Sequence, residues 1–547
     1  MSTFKQPEIV FLNGKIITLD DSDTIANAVA VANGRIISVG SHEEIKQSCD
    51  ADVRVVDLEG KTVLPGLIDP HTHLANATLI FHTYLDGRCP PNRSVADILE
   101  KIRDRVRKAP KGEWIPVQGS FFAAYKLAEK RLPTRAELDA VAPNHPVVYV
   151  NTVHSAVLNT CALEMAHITK ESPDPHGGML EKDSKTGELT GFIKEWHGLL
   201  PILSFSHEQI KAAIRDLTPN YWIKQGCTSA YSYADGREMR VYQDLARESA
   251  LPLRIQAMPM DIPLGPDRVI ESMAILGLEP GVGDKWLKVG GVKIFIDGAY
   301  MGLSAATHEP YINLPDENYY GIIKFNSQKQ LNELVLKGHN AGLQLHIHAI
   351  GEKAQDWALD ALENALQKNP RYHRHRIEHL GNLMTSPERI RRAKELDIIP
   401  VTTIEWLYEE GDFIETHLGR KRRDQSWPLR SMLDAGLKVA NCSDTVGATP
   451  FSTNPFYSMW CAVNRRTFLG DHLLSEQAIS IKEAIRLYTR NAAYSGFEET
   501  LKGSIEPGKY ADMIVINKDI FTIPDYEIKD IKVEMTILDG KIVYQRQ

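Results

Sequence analysis

Two kinds of hydrophobic patterning divide the chain. Near the N-terminus, apolar runs such as IVFLNGKIITL and VAVANGRIISVG contain Asn-Gly dipeptides at positions 13–14 and 33–34. Asn-Gly between apolar runs favours a β-hairpin, because both residues tolerate positive φ. The same pattern of apolar runs around a turn dipeptide occurs near the C-terminus, where VEMTILDGKIVYQ contains Asp-Gly at 539–540. Because isolated hairpins are marginally stable, we predict one small β-sandwich built from both ends of the chain.

Between these ends the pattern changes to apolar, β-branched runs that alternate with longer amphipathic stretches. Examples of the runs are LKVGGVKIFI, LQLHIHAI, HRIEHL and LKVANCSD. Such alternation indicates parallel strands connected by crossover helices, hence an α/β fold with a (β/α)8 barrel of the TIM type. A barrel of this kind takes about 250 residues, fewer than the span available here. We therefore predict a β-sandwich domain of residues 1–63 and 499–547, and a barrel of residues 64–498 with an insertion at about 81–217.

Length and composition are those of an ordinary folded protein. The 547 residues are 43% hydrophobic and 24% charged. The net charge is −8 without any basic block, so no nucleic acid partner is expected. No window approaches 18 consecutive apolar residues and the N-terminus lacks a secretory pattern, so no membrane association is expected. Six widely spaced cysteines without a Cys-x-x-Cys pair favour a reducing, cytoplasmic location.

Histidine placement points to metal chemistry. The 19 histidines include three His-x-His pairs, at 71/73, 346/348 and 373/375. Residues two apart on an extended strand point to the same side, so His71 and His73 can bind one ion. His348, His379 and Asp444 also end apolar runs, at the place where barrel active sites lie. Each alone is more typical of a core histidine or a turn-capping Asp; together they predict a metal site.

Lys293 interrupts an apolar run, GGVKIFIDG, in which a buried charge is costly. Two interpretations stay open for it. It is either a surface lysine that extends its ammonium into water, or a buried amine that reacts with CO2 to form a metal-binding carbamate. A carbamate would supply a negative group between two divalent ions held by neutral imidazoles.

Several motifs together resemble one protein family. LPGLIDPHTHL, HAIGEKA, RIEHL and NCSDT follow the order of its histidine and aspartate strand ends, and KGSIEPGKYADMIVI resembles its C-terminal return to the sandwich. Further similar blocks are LPTRAELDAVAPNHPVVYV, HSAVLNTCAL, PDPHGGML and WPLRSMLDAGLKVANCSD. Over nearly its whole length the chain resembles the amidohydrolase superfamily, in the branch of metal-dependent hydrolases that includes N-substituted formamide deformylases.

The resemblance implies roles for six residues. It implies that His71 and His73 bind one metal, that His348 and His379 bind a second, and that carboxylated Lys293 bridges the two. Asp444 is implied as a ligand and as the general base, which takes a proton from water and returns it to the leaving nitrogen. The expected cofactor is a divalent metal, two Zn²⁺ being preferred, although the ligands also suit manganese, iron or cobalt. A single-metal site with free Lys293 is the alternative.

The resemblance and the aromatic content suggest a substrate pocket. His154 and Glu195 match polar positions near the substrate, against the alternatives of a strand-end hydrogen bond and an exposed helix-start carboxylate. Phe121, Tyr300 and Trp406, with Trp460, are predicted to form an apolar pocket, against the alternative of core packing. Arg376 is expected to brace a strand end. His346 and His375 are expected to point away from the metals.

The leading hypothesis is a metal-dependent hydrolase. Its substrate is a small amide or N-acyl compound, in which it cleaves the carbon–nitrogen bond. Two alternatives are kept. One is ester hydrolysis, cyclic amide opening or decarboxylation at the same site. The other is a non-catalytic binding or regulatory protein on this fold. A homo-oligomer, with a dimer favoured, is expected from the habit of the family.

Overall fold

The computed structural model describes residues 6–47, 49–50, 52–152, 155–174, 179–194, 205–260 and 265–547. Two sheets of parallel strands occupy the centre of the molecule. The strands of the first sheet, in spatial order, are Leu287–Val289, Arg254–Pro259, Cys227–Ala234 and Leu67–Thr72. Those of the second are Val292–Phe295, Leu345–His348, Arg376–Glu378, Ile399–Thr402 and Ala440–Asn441. Nearly every residue of these strands is buried, as expected for parallel strands covered on both sides.

The two parallel sheets approach each other at both edges. Only Gly290 and Gly291 separate the edge strands Leu287–Val289 and Val292–Phe295. A Cβ on Gly291 would lie 2.5 Å from His346 Nε2, so this close passage requires glycine. At the opposite edges, the Asp444 N–H donates to the His71 carbonyl over 2.9 Å. The arrangement is of the TIM-barrel type, and it brings the carboxyl ends of the strands to one side.

Helices follow most of these strands and pack their apolar residues against the sheets. Ser206, Asp235 and Ser480 each cap a helix through a reciprocal capping box, which explains where those helices begin. The α-helices are His42–Gln47, Leu74–Thr83, Val95–Val106, Ala123–Lys126, Arg135–Val141, Thr160–Met165, His207–Tyr221, Gly236–Arg247, Pro266–Leu276, Gln328–Asn340, Glu352–Lys368, Pro387–Glu395, Trp406–Glu410, Ile414–Leu418, Arg420–Arg423, Leu429–Asp434, Pro455–Asn464, Ile481–Leu487 and Arg490–Ser495. Short 3-10 turns are Ile223–Gln225, Tyr300–Gly302, Ser475–Gln477 and Asp525–Asp530.

A separate six-stranded sheet is formed by the part of the chain between the parallel strands Leu67–Thr72 and Cys227–Ala234. Its strands, in spatial order, are Met179–Lys182, Leu189–Lys194, Ser155–Leu158, Val147–Thr152, Ile115–Gln118 and Leu85–Asp86. All of these residues fall within the span 81–217, for which an insertion is predicted. The sheet has its own apolar core, which includes Ile98, Val117 and Tyr149.

The two ends of the chain meet in a pair of sheets. One contains Arg35–Gly40, Ala28–Ala32, Ile9–Leu12 and Arg54–Asp57, and the other Lys541–Gln545, Val533–Leu538, Met513–Ile516, Thr62–Pro65, Lys15–Ile17 and Ile25–Ala26. Met513–Ile516 pairs antiparallel with Thr62–Pro65, so N-terminal and C-terminal segments share a sheet. Phe11 and Val515 belong to one core cluster. In the described part of the chain, none of the helices has the length and hydropathy needed to cross a bilayer.

Candidate metal centre

Three side chains from distant parts of the chain meet at the carboxyl ends of the parallel strands. His71, His379 and Asp444 each offer a ligand atom, and these atoms lie within 4.8 Å of one another. His71 Nε2 is 3.2 Å from Asp444 Oδ1, and His379 Nε2 is 3.6 Å from Asp444 Oδ2. His73 joins them, with Nε2 at 3.4 Å from Asp444 Oδ1. The His-x-His pair therefore presents both imidazoles to the same carboxylate.

Glu378 fixes the tautomer of His71. The His71 Nδ1–H donates to Glu378 Oε2 over 2.6 Å, which leaves the Nε2 lone pair directed at the cluster. Arg376 binds Glu378 through two hydrogen bonds, of 2.7 and 3.0 Å. Burial opposes ionisation of Glu378, but Arg376 and His71 outweigh it and hold the pKa of that carboxyl well below its usual range. Arg376 also donates to the Pro70 carbonyl over 2.7 Å and so braces the first strand.

Lys293 lies inside the protein, so the interpretation as a surface lysine is wrong. The residue is 2% exposed, and its Nζ is 3.1 Å from His71 Nε2. Nζ also lies 4.1 Å from the centre of the Tyr233 ring and 4.9 Å from that of Phe295. Burial lowers the pKa of Lys293 to about 8. Among the residues that the structure describes, none places a carboxylate oxygen within 4.0 Å of this amine.

His348 lies beside the cluster with a different orientation. Its ring packs edge-on against His379, at 4.7 Å between ring centres. Its Nε2, however, faces the Gly298 carbonyl at 3.1 Å and lies 3.6 Å from Asp297 Oδ1. If Nε2–H donates to that carbonyl, Nδ1 is the nitrogen that carries the lone pair.

The electrostatics of the cluster suit a cation. Burial lowers the pKa of His73, lowers that of His379 to about 3, and lowers that of His348 well below its usual value. Burial works against ionisation of Asp444, yet the neighbouring His71 lowers the pKa of this carboxyl well below its usual range. Neutral imidazoles and an ionised carboxylate, brought together in a buried space, are the donor set of a divalent metal site.

Backbone strain accompanies two of these residues. His379 has φ of 71° and Asp444 has φ of 38°, both in the left-handed region. Such conformations cost free energy and are held by surrounding contacts. Asp69 makes such contacts. Its carboxylate accepts a hydrogen bond from the Ser443 N–H at 3.0 Å and one from the Ser443 hydroxyl at 2.6 Å. Asp69 thereby fixes the residue that precedes Asp444.

Comparison with known sequences agrees with this geometry. The sequence profile described as "Amidohydrolase family" matches residues 54–544. The chain belongs to the amidohydrolase family. It is 30% identical to the N-substituted formamide deformylase of Arthrobacter pascens, over 98% of each chain. It is 28% identical to Protein LONG AFTER FAR-RED 3 of Arabidopsis thaliana, over 98% of this chain and 91% of that one.

Solved structures show the same fold. An uncharacterized metal-dependent hydrolase from Pyrococcus horikoshii superposes with a TM-score of 0.73, covering 94% of this chain and 99% of that one, at 24% identity. The resemblance of the sequence to amidohydrolases of the formamide deformylase type, predicted from its motifs, is thus confirmed.

Aromatic side chains border the cluster in this amidohydrolase. Trp406 stacks on His379 at 5.3 Å between ring centres, and Phe121 meets Trp406 edge-on at 6.0 Å. The Tyr300 hydroxyl donates to the Phe413 carbonyl over 2.5 Å. Trp460 instead packs with Tyr408 and Tyr457. The predicted pocket residues His154 and Glu195 lie outside the described residues.

His346 and His375 have other partners than the cluster, as expected. His346 Nδ1 is 3.0 Å from the Tyr233 hydroxyl, and its Nε2 is 3.0 Å from Gln344 Oε1. His375 accepts at Nδ1 from the Leu345 N–H, and its Nε2 is 2.8 Å from a ring nitrogen of His339. Both rings are therefore engaged by partners other than the candidate metal ligands.

Sequence reasoning missed two residues that support the centre. Glu378 stands directly before His379 in RIEHL, and Asp69 stands two positions before His71. A carboxylate inside an apolar run is the signal that could have revealed Glu378, because it needs a buried partner. Asp69 gives a similar signal, because it too is a carboxylate that follows an apolar run.

Proposed function

We propose that this amidohydrolase is a metal-dependent hydrolase that cleaves the carbon–nitrogen bond of an amide or N-acyl group in a small molecule. The observation that carries the proposal is the convergence of His71, His379 and Asp444 within 4.8 Å. Similarity to a formamide deformylase along 98% of the chain supports the bond type. The buried donor set, with one carboxylate and several neutral imidazoles, supports dependence on metal.

In this proposal His71 and His73 hold one divalent ion, and His348 and His379 hold a second. Zinc is preferred because mixed imidazole and carboxylate ligands suit it. A bound divalent ion would polarise the scissile carbonyl and lower the pKa of water. Glu378 keeps His71 in the tautomer that has a free Nε2 lone pair, and Asp69 holds the backbone that carries Asp444.

Asp444 acts as the general base. Its carboxylate lies among the imidazoles, and its lowered pKa keeps it in the ionised form, which is the form able to take a proton. In the proposed reaction a carboxylate oxygen of Asp444 takes the proton of the attacking water. The same proton then passes to the leaving nitrogen as the carbon–nitrogen bond breaks, which returns Asp444 to its starting state.

Lys293 is proposed to be carboxylated, and its carbamate would then supply an anionic ligand for the metal ions. The neutral amine attacks the carbon of CO2, the new nitrogen–carbon bond forms as one C=O π bond opens to give a carboxylate oxygen, and the nitrogen loses one proton to water. Two observations support this step. The amine is buried 3.1 Å from His71 Nε2, and burial lowers its pKa, which favours the neutral, nucleophilic form. The resulting anion would offset the charge of two cations in a buried space.

We further propose that the two parallel sheets close into one eight-stranded barrel of residues 64–498, in which Leu287–Val289 and Val292–Phe295 count as one strand interrupted at residues 290–291. The terminal sheets would form a sandwich domain of residues 1–63 and 499–547. The hydrogen bond from Asp444 to His71 supports closure, and the pairing of Thr62–Pro65 with Met513–Ile516 supports a domain shared by both termini. We also propose that the protein is a homodimer located in the cytoplasm.

The decisive experiment measures metal per chain on protein purified without chelator, with the native mass recorded to detect CO2 on lysine. Two metals and the added CO2 are expected. Screening of N-formyl compounds and other amides then follows, with esters of matched shape as the comparison. Active protein without metal would contradict the proposal, and one metal with unmodified Lys293 would replace the binuclear site by a mononuclear one.

A further inference from the structure

Glu410 is a buried carboxyl without a partner. It ends the helix Trp406–Glu410 and is 0% exposed. Within the described part of the chain, neither of its carboxylate oxygens has a hydrogen-bond partner. Burial of a polar group without a hydrogen bond costs free energy, so the position requires a reason.

The helix places Glu410 next to the candidate metal centre. Glu410 follows Trp406 by four positions, so the two side chains lie on the same face, one turn apart. Trp406 stacks on His379 at 5.3 Å between ring centres. The indole Nε1 of Trp406 is also buried without a partner among the described residues. Glu410 therefore lies one helical turn farther from the metal ligands than Trp406.

A group of aromatic rings lies next to the end of this helix. Phe122 lies 5.4 Å from Tyr300 and 5.2 Å from Phe413, and Tyr125 lies 5.0 Å from Phe413, all between ring centres. Tyr300 and Phe413 are tied to the helix end, because the Phe413 N–H donates to the Glu410 carbonyl and the Phe413 carbonyl accepts from Tyr300. Tyr125 is 42% exposed, so the ring cluster extends to the surface.

Two buried carboxyls in this region share one buried lysine. Lys126 forms a buried ion pair with Glu409, which uses the nearby cation. Glu410 is a second buried carboxyl, and because Lys126 is paired with Glu409, this lysine is not its partner. Burial raises the pKa of Glu410 to about 8, Lys126 opposes the rise and Glu409 adds to it. With that pKa Glu410 is mostly protonated at pH 7, and a cation bound beside it would stabilise the ionised carboxylate.

We propose that Glu410 and the rings of Phe122, Tyr125, Tyr300 and Phe413 form a subsite for a primary ammonium group of the substrate. This inference rests on the proposed amide hydrolysis and specifies its substrate class: amides that carry a positive charge away from the scissile bond. An ammonium group donates hydrogen bonds to the free carboxylate oxygens, and its charge is attracted by the ring faces. Trp406 separates this subsite from the metal ligands.

The test measures ligand binding by calorimetry on the protein as purified, with pentylammonium and its neutral analogue 1-pentanol. The wild type should bind pentylammonium at least about tenfold more tightly. Glu410→Gln preserves the shape and removes the charge, so it should abolish the difference. Glu498→Gln is the matched control, because it removes another buried carboxylate, one bound by Lys288 and Lys502, and it should keep the preference.

Equal binding of the two probes by the wild type would overturn the subsite. A preference that survives in Glu410→Gln would place the cation elsewhere and overturn it too. If Glu410→Gln does not fold, Glu410→Asp, which keeps the carboxylate, is used instead. It should still prefer pentylammonium, and loss of that preference would overturn the subsite. Binding needs no turnover, so failure of the subsite and failure of the hydrolase proposal give different results.

Discussion

At the scale of single residues, the site depends on both the side chain and the backbone conformation of Asp444. Its carboxylate contacts His71 and His73 within 3.4 Å, and its backbone has a φ of 38°. Residues in strained conformations persist where neighbouring contacts hold them, and they are common at active sites. The position therefore depends on both the charge of the side chain and the hydrogen bonds of the surrounding backbone.

Asp444→Asn should lower kcat by about 10²- to 10⁴-fold, the usual contribution of a general base. The amide cannot take the proton, although it has nearly the same shape. The measurement is kcat on the best amide from the screen, with metal content and thermal unfolding recorded in parallel. Asp471→Asn, at an exposed position, is the control. Wild-type kcat in Asp444→Asn would refute the base assignment.

Lys293→Ala should lose most activity and metal, because the proposed anionic bridge disappears. Added acetate or propionate should restore part of both, since a short carboxylate can occupy the space of the missing carbamate. Activity and metal content are measured with and without the acid. Lys532→Ala, on the surface, should behave as the wild type under both conditions. Full activity of Lys293→Ala without added acid would contradict the bridging role.

At the scale of elements, the first and last parallel strands are joined by buried polar contacts. Asp69 accepts from Ser443 and also from the Trp222 indole N–H, at 3.2 Å. The Asp444 N–H donates to the His71 carbonyl close by. The bonds of Asp69 with Ser443 and of Asp444 with His71 connect residues more than 370 positions apart, and they set the distance between the ligands that the two strands contribute.

Asp69→Ala should destabilise the fold by about 3 kcal/mol, because it leaves several buried donors without an acceptor. Ser443→Ala removes one hydroxyl and should cost only about 1 kcal/mol. Urea unfolding measures both. Activity should fall more than the folded fraction in Asp69→Ala, since Asp444 loses its support. Equal stability of the two variants would show that Asp69 does not hold this junction.

At the scale of the whole molecule, buried ion pairs connect the parallel strands to the C-terminal segment. Arg254 forms two hydrogen bonds with Asp512, of 2.7 and 2.9 Å. Glu498 accepts from Lys288 at 2.8 Å and from the Tyr231 hydroxyl at 3.1 Å, and lies 2.6 Å from Lys502. Unfolding of the terminal segment would leave these charges buried without partners, so the parts should unfold together.

Glu498 should make the fold sensitive to acid. Burial alone would raise the pKa of this carboxyl, but Lys502 and Lys288 lower it to about 2. A lowered folded-state pKa stabilises above the unfolded value of about 4.3, and this contribution is lost as the pH falls toward 2. The contribution is on the order of 3 kcal/mol. Glu498→Gln should unfold more easily at pH 7, and its stability should depend less on pH between 5 and about 2. An unchanged pH profile of unfolding would contradict this.

Much of the candidate site could be read from the sequence. His71 and His73 were placed together because strand residues two apart share a side, and His379 and Asp444 because parallel strands end at one edge. These are local rules of geometry, and the structure brings these four residues together. The hairpin signals at both termini likewise correspond to paired strands.

Local patterns in the sequence indicate the residue types at the strand ends and the order of strands and helices, because periodicity and turn chemistry act over a few residues. Three features follow from tertiary contacts alone: Lys293 is buried, His348 turns Nε2 to the Gly298 carbonyl, and Glu410 has no hydrogen-bond partner among the described residues. Burial and hydrogen bonding depend on groups brought together from distant segments. No local pattern carries that information, and the chemistry of the site depends on it.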